Sequence, residues 1–356
     1  MENYDRLKNA MKSYCTFIFL LPILFSCTSQ NPDSKKDESP EDFLHATNAF
    51  LKHYENSPQI FTVASDKPSE VVGMNGTILF IDPKDLVLSD GTAIKDSIRV
   101  ELVELTRKEE FIKHHTTTTS NGELLVSGGM YYINLVSDSV QVLLKDSCTM
   151  PVVFPRITDE PMLLFDGKRD STGRMNWTPT RQELSYSAPS RKPFKQKRNI
   201  EVIVWNDTLN ETFEVKQMSP EEKEKYSKEF DKKKKVYNET RLSSFGWKNI
   251  DYYFQYENRI DIEFTVPTSI ASSSIRSYLI FKEINSVISP YTFTDSSLTY
   301  REVPEALTYS ILAVSYFNKK IYLFYKENQI VGEPIQQLDL VEVTEEYFDE
   351  FFKDFI

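Results

Sequence analysis

The chain of 356 residues carries 42 basic and 53 acidic side chains, a formal net charge of −11, and its 24 Phe and 19 Tyr offer large apolar areas for burial. An acidic surface of this kind disfavours nucleic acid and bare anionic membrane as partners. The length is enough for two ordinary domains.

The first element is an address signal. From Tyr14 to Phe25 the chain is apolar apart from Thr16 and the Tyr14 hydroxyl, with Pro22 inside the run and Lys12 before it. These 12 residues match a secretory h-region of about 7–15 residues and fall short of the roughly 20 a spanning helix needs. Arg6 and Lys8 lie upstream with Glu2 and Asp5, so Met11 fits as the start as well as Met1. The run closes on Leu24-Phe25-Ser26-Cys27, with a small residue before the cysteine and an apolar one three before it. Phe25 is bulkier than the usual residue at its place. The pattern marks residues 1–26 as a lipoprotein signal peptide and Cys27 as the lipid attachment point, against the alternatives of an ordinary signal peptide or a buried N-terminal helix. A diacylglycerol plus an amide-linked acyl chain meets the condition of more than one tail for stable anchoring. With Cys15 removed and Cys27 acylated, Cys148 is left without a disulfide partner, and stability must come from packing. The mature chain would carry a net charge of about −12.

Residues 27–39 are polar and small, a tether with nothing to bury. Over 40–58, Ser39 as cap, Pro40 at the first helical position and Phe43, Phe50, Leu51 and Tyr54 in helical spacing predict an amphipathic helix. A first domain over 59–177 reads as strands at 59–64, 76–81, 97–106, 122–126, 130–136, 139–144 and 149–154, separated by turn chemistry such as Asp82-Pro83, Asn121-Gly122 and Ser127-Gly128-Gly129. Short strands at this spacing argue an antiparallel sandwich.

Residues 178–241 shift towards Pro, Ser, Gln and charge. They read as a linker, a hairpin over 199–217 and a charged helix over 221–237 opened by Ser219-Pro220-Glu221-Glu222. The run Lys232 to Lys235 sits among acidic residues and reads as a solvated helix face. A second domain over 242–356 carries strands at 259–266, 277–284, 307–317, 320–325 and 338–343, with Asn318-Lys319 as a tight turn. Thr344 can cap a last helix whose Tyr347, Phe348, Phe351, Phe352 and Phe355 form one apolar stripe, read as core packing. The fold class is mainly β: two β-sandwich-like domains with a few peripheral helices.

Several segments of the first body occur in a set order: Gly76 to Pro83, Gly91, Val100 to Glu104, Leu124 to Tyr131 and Val152 to Pro155. This order resembles the β-sandwich module shared by netrin receptors and ankyrins, and more closely an uncharacterised group of Bacteroidetes-type lipoproteins. In that group the pattern continues to a tryptophan like Trp177, and a motif like Gly246-Trp247-x-Asn249-x-Asp251 opens the second domain. The resemblance spans residues 60–343 and implies a fold and no reaction. Some eukaryotic relatives of the module cleave themselves at His-Phe-Ser. This chain lacks that tripeptide, and its histidines, His45, His53, His114 and His115, all precede residue 116.

Other candidate chemistry is thin. His114-His115 has no Asp, Glu or Cys at ligand spacing and reads as an exposed loop pair, so no metal or other cofactor is expected. Glu109-Glu110 and Glu345-Glu346 read as charged surface. Asp96-Ser97, Asp138-Ser139, Asp170-Ser171-Thr172 and Asp207-Thr208 resemble the O-glycosylation signal of Bacteroidetes envelope proteins. Gly128-Gly129 reads as a site of positive φ or close backbone approach between two strands, since no helix follows to cradle a phosphate. In Gly246, Trp247, Asn249 and Asp251, a sugar-stacking platform competes with a structural reading in which Trp247 anchors the second core, and the structural reading is preferred.

The expectation is a non-enzymatic envelope lipoprotein, held on the membrane through the lipid on Cys27 at the periplasmic or surface face, that binds or scaffolds an envelope protein or a glycan. The alternative is an envelope hydrolase, or an accessory subunit of a glycan-processing system. Converging acidic or histidine side chains in a deep pocket would favour the hydrolase, and flat or aromatic surfaces the binder.

Overall fold

Alternation along the inner strands serves two cores at once. In Ile98–Leu105, Val100 and Leu102 face one core while Val103 and Leu105 face another, and in Arg276–Phe281 the pairs Tyr278/Ile280 and Leu279/Phe281 divide in the same way. The computed structural model describes residues 40–184, 201–206, 211–214, 236–270, 272–332 and 337–354. They are mainly β and fall within one compact unit. Cys27 and the tether lie outside them.

The largest sheet runs, in spatial order, Gln59–Val63, Ile98–Leu105, Glu123–Ser137, Gly246–Tyr253, Met162–Arg169 and Met175–Leu184, all antiparallel. Facing it is a six-stranded sheet ordered Glu211–Glu214, Glu201–Asn206, Ser69–Val72, Ile78–Ile81, Met150–Val153 and Thr240–Leu242, with one parallel pair between Glu201–Asn206 and Ser69–Val72. Side chains of both sheets, among them Phe61, Val71, Val152, Ile203 and Ile250, make the core between them. In the C-terminal half a five-stranded sheet, Val287–Ile288, Arg276–Phe281, Thr308–Phe317, Lys320–Ile330 and Val341–Val343, packs on the three strands Arg259–Thr265, Ser297–Pro304 and Thr292–Phe293 around Phe264, Leu279 and Tyr309. A middle core joins the halves: Val103, Phe165 and Trp177 from the large sheet meet Tyr278, Leu312 and Leu323 from the five-stranded one, closed by Leu51 of the helix Pro40–Leu51 and by Phe348 and Phe352 of the helix Glu345–Asp354.

The expected boundary at 242 needs correction. Gly246–Tyr253, read as the opening of the second domain, lies inside the large sheet between Glu123–Ser137 and Met162–Arg169. Its apolar and aromatic side chains fit a strand buried on both faces, and periodicity does not say which sheet such a strand joins. The segment read as linker also contributes strands, since Met175–Leu184 runs past 177 and Thr240–Leu242 pairs Met150–Val153. The hairpin read near 199–217 forms between Glu201–Asn206 and Glu211–Glu214. The charged helix lies outside the described residues except at its end, where Val236 bridges Pro155 and Tyr237 is buried.

Turn chemistry acts as read. Asn121-Gly122 and Asn318-Lys319 both hold two consecutive positive φ angles, 51° and 91° and then 50° and 60°, in tight hairpins; Asp138-Ser139, read above only as a glycosylation-like signal, makes a third such turn after Glu123–Ser137. Thr344 caps the last helix, its hydroxyl accepting from Tyr347 N at 3.2 Å.

Candidate functional site

The two motifs singled out in the sequence are neighbours. Gly246–Tyr253 pairs with Glu123–Ser137 so that Asn249 faces Met130 and Asp251 faces Ser127, two steps on one strand against three on the other. The extra residue is a β-bulge at Gly128-Gly129, inside one continuous strand rather than between two strands. Gly129 sits at φ +122°, and a Cβ on Gly128 would come within 3.0 Å of Ile250 O. Around the bulge, Ser127 Oγ donates to Asn249 Oδ1 at 3.2 Å and accepts from Gly129 N at 3.0 Å, while Asn249 Nδ2 donates to Asp251 Oδ2 at 2.5 Å. Asn285 ties the second half to the same spot, donating to Ser127 O and accepting from Ser127 N, each at 2.9 Å. Asn249 and Asp251 have no solvent-exposed surface. Burial holds the Asp251 carboxyl well above the usual carboxylate range. Enclosed in this way, the cluster meets no ligand from outside and is a structural joint.

Trp247, read as the anchor of the second core, packs instead against the edge of the middle core. It is half-buried on the large sheet, with Tyr132 at 5.3 Å and His114 at 6.0 Å between ring centroids and the Arg169 guanidinium 5.6 Å from its ring. Trp177 is fully buried; its Nε1 donates to Thr117 O at 2.6 Å and its ring fills the space beside Gly167, where a Cβ would overlap it.

The histidine pair is not an exposed loop either. His114 accepts from Asn56 N at 3.1 Å through Nε2 and is 3 % exposed, and His115 Nδ1 lies 3.0 Å from Tyr278 OH. Burial, aided by Arg169 and Lys113, lowers the His114 pKa to about 4; burial with Arg276, Arg169 and His114 lowers that of His115 to about 3. Glu110 is buried, not surface, and accepts from Thr106 N at 2.6 Å and Arg107 N at 3.0 Å. Among the described residues no cluster of three His, Cys, Asp or Glu is placed to hold a metal.

An open site lies elsewhere. Leu323, Tyr325 and Glu327 project from one face of Lys320–Ile330, Val341 and Val343 from the edge strand beside it, and Tyr347, Glu350 and Phe351 from the C-terminal helix. Together they line a groove of about 610 Å³. Val341 is 59 % and Tyr347 55 % exposed, large values for apolar and aromatic side chains. Tyr325 packs edge-on to Phe351 at 5.2 Å and donates to Glu327 Oε1 at 2.9 Å. Burial, then that hydrogen bond, raises the Tyr325 pKa to about 12. The stripe read on this helix is two columns, Phe348 and Phe352 in the middle core and Tyr347 and Phe351 on the groove; Phe355 lies outside the described residues. Two columns each four residues apart need two apolar partners, which is the signal that reading one stripe missed.

No family model matches the chain, and no curated protein and no solved structure matches it. No helix among the described residues is long and apolar enough to cross a membrane.

Proposed function

We propose that this protein is an outer-membrane lipoprotein of the cell envelope, anchored through lipid on Cys27, that works by binding a partner protein in the groove beneath its C-terminal helix. The anchor rests on Leu24-Phe25-Ser26-Cys27 and the short apolar run before it. The groove carries the binding reading: it is open and aromatic, and its two carboxylates stand on a rim rather than in a deep pocket.

The lining selects the partner's chemistry. Leu323, Val341 and Val343 give aliphatic surface suited to an apolar side chain, and Glu327 and Glu350 are acceptors for Lys or Arg. An extended segment of an envelope protein with an apolar residue next to a basic one satisfies both. A glycan would use the aromatic rings and leave the aliphatic floor unfilled.

The anchor is tested by Cys27→Ser, which should abolish incorporation of labelled palmitate; continued labelling would remove it. For the groove, a photo-crosslinking amino acid at Tyr347 in the full chain in intact cells should give a discrete protein adduct, absent with the same probe at Met74, which is 42 % exposed. Glu350→Gln and added salt should both weaken that adduct. Adducts unaffected by either change, a glycosidase-sensitive adduct or no adduct at all would each overturn the reading.

A further inference from the structure

A second, smaller space lies where the large sheet meets Arg276–Phe281. It is lined by His115, Thr117, Arg174, Arg276, Ser277 and Tyr278, among others, and its free volume of about 20 Å³ admits a single particle the size of a water molecule or a small ion. Charge and hydrogen bonding around it are out of balance. Arg276 donates from Nε to Asn48 Oδ1 and from Nη2 to Thr172 O, both at 2.6 Å. Arg169, behind His115, donates to His115 O at 3.0 Å, Gly173 O at 2.9 Å and His114 O at 2.5 Å. Arg174 lies 4.4 Å over the Phe293 ring. Every hydrogen-bond partner of Arg169 and Arg276 named here is neutral, and among the described residues no carboxylate pairs with any of these three guanidiniums. Burial lowers the pKa of all three, repulsion from Arg276 adds to it at Arg169 and Arg174, and Glu55, Asp170 and Tyr278 oppose it only from a distance. An unpaired charge taken out of water is costly.

His115 adds an independent sign. Its backbone is held in the left-handed region at φ +49°, where the chain leaves the helix Lys108–Lys113, and the residue is half-buried. Nδ1 meets Tyr278 OH, while Nε2 is buried with no hydrogen-bond partner. With Tyr278 donating to Nδ1, the neutral ring carries its proton on Nε2 and lacks an acceptor for it. The other space touching the ring, lined by Leu51, Ile112, Leu312, Val314 and Phe352 among others, is apolar and has no room for water. Of these two spaces, the polar pocket is the one that can supply the missing acceptor. Ser277 is placed to help, since its Oγ accepts from Tyr300 OH at 2.6 Å and keeps its own proton to donate.

We propose that this pocket is a binding site for a small anion, of chloride size or the single charged oxygen of a carboxylate, held by Arg174 and Arg276 and by the N–H of His115 Nε2. It is separate from the groove and does not depend on the groove's function. The test uses the full chain in nonionic detergent at constant ionic strength, with gluconate as the bulky reference anion and chloride or acetate replacing it. Chloride should raise the melting temperature saturably. Arg174→Gln should bind chloride at least about tenfold more weakly, as loss of one charge-assisted hydrogen bond implies, so that its melting temperature rises between gluconate and chloride only at correspondingly higher chloride. His115→Asn, which suits the left-handed backbone, should weaken binding in the same way. Acetate acting in place of chloride would identify a carboxylate as the natural ligand. Equal melting temperatures in gluconate, chloride and acetate would overturn the proposal, as would a folded Arg174→Gln variant with wild-type chloride affinity.

Discussion

Among single residues, burial ranks the two neighbouring tryptophans opposite to what their motifs suggest. Trp177 is wholly buried and hydrogen-bonded, so Trp177→Ala should lower stability by about 3–5 kcal/mol. Trp247, half-buried between Tyr132 and Arg169, should cost less than about 3 kcal/mol on truncation. Urea unfolding of both variants would decide, and a larger loss at Trp247 would contradict the assignment. Asp251 makes a pH-dependent contribution. Because its native pKa is raised, the folded chain keeps a proton that the unfolded chain releases above pH about 4. Stability therefore falls as pH rises from there towards the native value, by at most about 1.4 kcal/mol per unit. His114 and His115 act in the other direction: with native pKa values of about 4 and about 3, they withdraw stability as pH falls below about 6.5. Asp251→Asn, isosteric with the protonated acid, should remove the loss on the alkaline side. A stability difference from wild type that stays constant from pH 5 to pH 8 would refute this account.

Among elements, the bulge in Glu123–Ser137 is the most constrained feature. It turns Ser127 and Met130 to the same face although they are three positions apart, which lets Ser127 reach Asn249 while Met130 enters the middle core. A Cβ on Gly129 would lie 2.4 Å from Tyr131 OH, at a backbone angle that side chains rarely adopt. Gly129→Ala should cost about 1–3 kcal/mol or more, through backbone strain and displacement of Tyr131. Gly76 also has positive φ, +97°, yet open space surrounds it. Gly76→Ala should cost about 1 kcal/mol, from backbone conformation alone. Similar losses at the two sites, measured by denaturant unfolding, would show that the close contact at Gly129 is unimportant. The C-terminal helix is the other element with two duties, since one column of rings closes the core and the other shapes the groove.

At the scale of the molecule, the middle core decides cooperativity. Tyr54 OH donates to Asp349 Oδ1 at 2.7 Å and its ring meets Phe348 at 5.2 Å, so helices from the two ends of the described chain close one core between the sheets. Two independent sandwiches would melt separately. Because Trp177, Tyr278, Leu323 and Phe348 share this core, calorimetry should show a single transition. Phe348→Ala should lower that whole transition, by about 3–5 kcal/mol, without splitting it. Two resolved transitions in the wild type would show that the halves unfold independently.

The sequence by itself determined the class of structure and much of its punctuation. Alternating β-branched and aromatic runs, the turns Asn121-Gly122 and Asn318-Lys319, and the Thr344 cap all depend on φ preferences and side-chain periods that act over a few residues, and each has the form expected of it. Tertiary structure decided the rest. A period of two assigns Trp247 and Asn249 to one face and Lys248 and Ile250 to the other, without naming the sheet that receives the strand; pairing with Ser127 to Met130 and with Leu163 to Gly167 settled that across long stretches of chain. The same limit hid the burial of His114 and His115, which is imposed by Asn56, Arg169 and Tyr278 from distant segments. It also hid the groove, whose lining comes from two strands and a helix that only the closing of the middle core brings together.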